Sequence, residues 1–159
     1  MLILCWVIAL LLLSYYFAQW QKRRDNPNMA PEFRRDGNVS ELVLNENWQH
    51  HYMVNGEING RGVTFLVDTG ATDVSIPAHL ATELSLRGGA PLYSQTANGL
   101  VEVRATRIDR LTIGAIELRD VRANLNPGMQ QDQILLGMSA LKQVEFTQKT
   151  GILTLRQHH

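Results

Sequence analysis

Cysteine is nearly missing from this sequence. Cys5 is the single one in 159 residues, so no disulfide can close within the chain, and the folded part must be stable without one in whichever compartment it sits. A surplus of either charge is missing too. Lys and Arg number 15 and Asp and Glu number 15, giving a formal net charge of zero. No basic face of the kind that grips a phosphate backbone is legible, so no nucleic-acid partner is expected. Metal-ligand spacing is also lacking. His50-His51 and His158-His159 are adjacent pairs whose side chains would point to opposite faces of a strand, and no Cys or His spacing completes a site, so they read as surface or terminal residues. No strand-GxxxxGK[ST]-helix pattern cradles a phosphate, and no segment repeats another at domain scale. Neither a metal nor a cofactor is expected.

One long apolar run is present. Residues 1–21, MLILCWVIALLLLSYYFAQWQ, carry no charged side chain, end in Tyr15, Tyr16 and Trp20, and are followed by Lys22-Arg23-Arg24. Length, apolarity and the aromatic rim fit one transmembrane helix, which needs roughly 20 residues. A cleaved signal peptide is the alternative, opposed by the lack of a basic region before the run and of an A-x-A site after it. The basic flank favours a cytoplasmic location for the rest of the chain, with the periplasmic or external face as the other outcome. Residues 22–47 are rich in Asn and contain two prolines, and read as a basic flank and tether with a short apolar element at Leu42–Leu44. The folded domain is expected over 48–159.

Its signals are those of β structure. Asn59-Gly60 lies between HYMVNGEI and GVTFLV, and suits the positive φ angles of a two-residue hairpin. Gly114-Ala115, between LTI and IEL, suits a type II′ turn. Helical signal is confined to residues 77–86 and 137–144. Against this background FLVDTGATDVSIP, residues 65–77, places Asp68 at the end of an apolar strand with no charged neighbour to neutralise it. A carboxylate there is either a turn residue or a group whose awkward environment serves chemistry.

FLVDTGATDVSIP followed by ILLGMSAL resembles the active-site loop and the hydrophobic-hydrophobic-glycine segment of retroviral-type aspartic proteases. Together with TANG, LTIGAIEL and LNPG, it is similar to the bacterial membrane-anchored, retropepsin-like aspartic protease family over roughly residues 50–155. The resemblance implies a mainly β, single-lobe retropepsin-like acid protease barrel with one or two short helices, preceded by one transmembrane helix. It implies an aspartic endopeptidase acting on a peptide or protein substrate. An aspartic dyad needs two carboxylates close enough to share a proton, and this chain has one D-T-G, so a homodimer must supply Asp68 twice. By resemblance, Thr69 bonds across the interface and Gly70 offers its N–H to the carboxylate. Ala71 lines the substrate site; it stands where a serine would bond the ionised form, which points to activity at mildly acid pH. Thr96, Ala97, Asn98 and Gly99 form the tip of a flap over the substrate. Ile134, Leu135, Leu136 and Gly137 pass behind the loop in a ψ-shaped crossing. Asp73 reads as a solvated or capping residue. The viral enzymes usually carry a basic residue after this glycine, whereas Met138-Ser139 comes next here, so the viral dimer interface does not carry over. A monomeric, non-catalytic peptide-binding or scaffold module at the membrane is the rival expectation.

Overall fold

A computed structural model gives the fold and describes residues 2–96 and 99–159. Helix α1, Leu2–Asp25, carries exposed apolar side chains all round from Ile3 onward, and none of the apolar stretch from Ile3 is buried against the rest of the chain. It is long and apolar enough to cross a membrane. The helix runs past the uncharged stretch because Lys22, Arg23 and Arg24 are good helix formers and complement the negative end of the helix dipole.

The segment expected to be a tether is ordered. Strands β1 (Glu32–Asp36) and β2 (Val39–Asn45) form a hairpin. Strands β10 (Glu145–Lys149) and β11 (Ile152–His158) form a second, and β2 pairs with β11 to give the sheet order β1-β2-β11-β10. Alternation drives this pairing: Leu42 and Leu44 on β2 and Leu153 and Leu155 on β11 are buried on one face. That face meets the turn at Gly114, where a Cβ would lie 3.1 Å from Leu42 Cδ1.

A seven-stranded sheet contains the remaining strands, β3 (Met53–Ile58), β4 (Arg61–Val67), β5 (Val74–Pro77), β6 (Pro91–Thr96), β7 (Gly99–Ile113), β8 (Ile116–Asn126) and β9 (Gln133–Leu136). Their order is β3-β4-β9-β5-β8-β7-β6. A further pairing of β3 with β7, Ile58 opposite Leu111, curls the sheet on itself. The Asn59-Gly60 turn has φ of 51° and 79°, as a type I′ hairpin requires, and Gly114 has φ 57°. Phe65, Ile76, Ile108, Leu111, Ile134 and Leu136 are among the fully buried side chains of one continuous core. Both expected helices are shorter than their sequence signals. Residues 77–86 give a single 3-10 turn, Ala78–Leu80, and Ser85 has a left-handed φ of 56° that ends any helical continuation. Residues 137–144 give helix α2, Met138–Leu141.

Candidate active site

The loop from Asp68 to Asp73 joins β4 to β5, and these two strands are not neighbours. Strand β9 lies between them, parallel to β4 with Val67 opposite Leu136, and antiparallel to β5 with Ser75 opposite Leu135. The loop therefore crosses over the end of β9, and its backbone is fastened there. Asp68 N–H donates to Leu136 O (3.2 Å), Met138 N–H to Ala71 O (2.8 Å) and Ser139 N–H to Thr72 O (2.9 Å). This crossing leaves no room beside residue 137. A Cβ on Gly137 would collide with the carbonyl oxygens of Asp73 and Ala71. Ile134 and Leu136 are buried beneath the loop, and Leu135 is half-buried.

Asp68 is half-buried at the end of β4, and its Oδ1 accepts the Gly70 N–H at 2.9 Å. Thr69 and Gly70 are exposed and Ala71 is half-buried, so the D-T-G turn presents one oriented carboxylate at the surface. Asp73 is not simply solvated. Its Oδ1 is out of water and 3.0 Å from Arg122 Nη2 on β8, an ion pair that ties the end of the loop to the neighbouring strand. Ser139 is a residue whose role the sequence did not announce. It is buried, its hydroxyl accepts the Val74 N–H at 3.0 Å and donates to Arg122 O at 2.7 Å, and so it joins β5, α2 and β8 under the loop. A serine between Met and Ala at the start of a short helix carries no local signal of that role.

Strands β6 and β7 form a long hairpin with Thr96 opposite Gly99. Of the expected flap residues, Ala97 and Asn98 lie outside the described residues; Gly99 is half-buried with φ 102°. Leu92, Tyr93 and Leu100 are exposed near this end of the hairpin. A cavity of about 690 Å³ lies elsewhere, between the end of α1 and β3–β4, lined by Lys22, Met29, Met53 and Glu83 among others, and it does not include Asp68. Among the described residues no group of three or more His, Cys, Asp or Glu side chains is gathered for a metal ion.

The single-lobed sheet, with a D-T-G loop crossing a hydrophobic-hydrophobic-glycine strand, defines a retropepsin-like fold. The crystal structure of a retropepsin-like aspartic protease from Rickettsia conorii matches it at a TM-score of 0.61 and 24% sequence identity, over 79% of this chain and 95% of that one. Residues 54–143 match the family model described as "gag-polyprotein putative aspartyl protease", and the chain belongs to that family. An uncharacterized protein in the cobV 5′ region of Sinorhizobium sp is 30% identical over 120 residues, covering 73% of this chain and 52% of that protein. An uncharacterized protein of Rickettsia prowazekii (strain Madrid E) is 26% identical over 117 residues, covering 72% and 50%. The chain thus spans about half the length of these curated relatives.

Proposed function

We propose that the chain is a membrane-anchored aspartic endopeptidase whose dyad is Asp68 from two copies. The observation that carries this reading is the oriented, partly exposed carboxylate of Asp68 on a loop pinned from behind by residues 136–139. A loop so constrained keeps its carboxylate in one place, as proton transfer in a defined geometry demands. With one such carboxylate per chain, the chemistry needs a second copy.

In the assembled dyad one Asp68 is ionised and the other protonated, because like charges that close do not both ionise. The ionised carboxylate takes a proton from water as the water oxygen bonds to the scissile carbonyl carbon. The protonated one gives its proton to the carbonyl oxygen. Collapse of the resulting diol breaks the C–N bond, the departing nitrogen takes up a proton, and a carboxylic acid and an amine leave. Thr69 joins the two loops across the axis and Gly70 orients Asp68. Ala71 and the hairpin tip at Thr96, Ala97, Asn98 and Gly99 hold an extended peptide, which adds as a strand beneath the flap. Helix α1 spans the membrane once, with the Lys22-Arg23-Arg24 end favouring the cytoplasmic side.

The test is cleavage of an unstructured protein by the full chain in lipid nanodiscs between pH 4 and 7. Asp68→Asn should lower the rate at least about 100-fold, the typical value of a general acid or base, while the thermal unfolding midpoint stays where it was. A transition-state analogue of aspartic proteases should block the native chain. Cleavage that survives Asp68→Asn would remove Asp68 from the mechanism. A folded monomer that never cleaves would favour the scaffold reading.

A further inference from the structure

The proposed site is incomplete in one chain, and the four-stranded sheet has two free edges on which another copy could pair: β1, Glu-Phe-Arg-Arg-Asp, and β10, Glu-Phe-Thr-Gln-Lys. Every residue on both edges is exposed. An uncovered edge is a template for a further strand, and its side chains decide which strand is accepted. Resting on the protease reading, we propose that β10 is the pairing strand of the dimer, binding β10 of a second copy in antiparallel fashion about a two-fold axis at Thr147.

Main-chain geometry supports β10. The two-residue turn Thr150-Gly151, with φ of 51° and 75°, makes Lys149 and Ile152 a hydrogen-bonded pair, and alternation then turns the N–H and C=O of Lys149, Thr147 and Glu145 toward β11. Those of Phe146 and Gln148 face outward. With Thr147 on the axis, Phe146 of one copy lies opposite Gln148 of the other, and each such pair exchanges both of its main-chain hydrogen bonds.

Side chains select the same register. Glu145 lies opposite Lys149 of the second copy on one face, and the symmetry gives this pair twice. Sliding by one residue in either copy breaks both pairs. On the other face, Phe146 ends a ladder that runs Phe33, Leu42, Leu155, Phe146 across the sheet. Leu42 and Leu155 are buried, while Phe146 is 41% exposed. In the dimer the two Phe146 side chains become diagonal neighbours flanking the axis and carry the apolar layer from one copy into the next. The same operation on β1 sets Glu32 against Asp36 and Arg34 against itself, which like-charge repulsion opposes. Pairing β1 of one copy with β10 of another has no two-fold axis and builds an open chain of subunits, not a closed pair. Strand β10 also comes soon after α2, whose Met138 N–H is bonded to the Ala71 carbonyl, so the proposed pairing strand follows in sequence the segment that fastens the Asp68 loop.

Sedimentation equilibrium of the full chain in detergent micelles tests this. Glu145→Lys and Lys149→Glu should each weaken dimerisation by about 10-fold or more, since like charges then face each other at both pairs. An equimolar mixture of the two variants should recover the native affinity, because a copy with lysine at both positions then pairs with a copy that has glutamate at both. The double variant Glu145→Lys/Lys149→Glu should recover it alone. Native dimerisation in both single variants overturns the assignment, and so does loss in both without recovery in the mixture. The protease reading is separable: cleavage that needs Asp68 but ignores both charge reversals overturns only the strand. Recovery in the mixture without any cleavage by the native dimer overturns only the enzyme.

Discussion

A methyl group at position 137 has nowhere to go. The φ of Gly137 is −86°, open to any residue, so glycine is required there for space and not for backbone freedom. The atoms a Cβ would strike are main-chain carbonyls of the Asp68–Asp73 loop, whose backbone is held by hydrogen bonds to residues 138 and 139. Gly137→Ala should therefore displace the loop, lower stability by about 2 kcal/mol, in the range for overpacking, and reduce cleavage with it. Denaturant unfolding alongside the nanodisc assay checks both, and native activity in Gly137→Ala would show that the crossing tolerates a shift. At this scale the sequence was readable in part. Asp-Thr-Gly and Leu-Leu-Gly announce themselves because their geometry demands particular residues. The Ser139 bridge and the Asp73–Arg122 ion pair do not, because a serine or an aspartate fits many environments and their partners lie far along the chain.

The hairpin of β1 and β2 is the element whose loss should matter most. Strand β2 sits between β1 and β11, and it covers one whole side of β11, from Ile152 opposite Asn45 to His158 opposite Val39. A chain beginning at Trp48 would expose Leu153 and Leu155 and leave the inner edge of β11 unpaired, at a cost of roughly 1.5–3 kcal/mol for each uncovered leucine. It should aggregate or unfold at lower temperature than a chain beginning at Asn26, as circular dichroism and size exclusion would record; equal melting of the two would show the hairpin to be dispensable. Turns such as Asn59-Gly60 and Gly114-Ala115 were legible because a few residues suffice to specify them. The β1–β2 hairpin was legible only in the Leu42–Leu44 alternation. Its first strand is charged and fully exposed, and its partner β11 lies more than a hundred residues on, as the pairing of Ser40 with Gln157 shows. The 77–86 segment misleads in the opposite sense. A proline at its start and spaced leucines imitate a helix, yet Leu84 and Leu86 are buried through an irregular turn whose Leu84 carbonyl accepts the Asn59 amide at 2.9 Å.

In the whole molecule, helix and domain meet at a built junction. Asn28, buried, donates to Asn45 O at 2.8 Å and to Met53 O at 2.7 Å, and accepts the Asn45 N–H at 2.8 Å. Asn47 and Trp48 bond the carbonyl and carboxylate of Asp25, and the Arg24 guanidinium stands 4.3 Å over the Trp48 ring. Residues 26–31 should then resist an added protease in the full chain. Asn28→Ala strands three polar groups, at about 1–3 kcal/mol for each that stays dry, and should open this segment to cutting, seen as fragments by mass spectrometry. Equal resistance in the variant would place the rigidity elsewhere. None of this could be read from composition, which marks Asn and Pro as loop formers without saying what an asparagine will reach. The four-stranded sheet has a last consequence. Both strands at its centre, β2 and β11, find each other within one chain, so the leucines between them are buried without a second copy. On the proposed mechanism, output then follows dose: at low copy number the pairs, and with them the cutting, fall with the square of the amount present. Synthesis alone then sets the rate of cutting, with unpaired copies as a silent reserve.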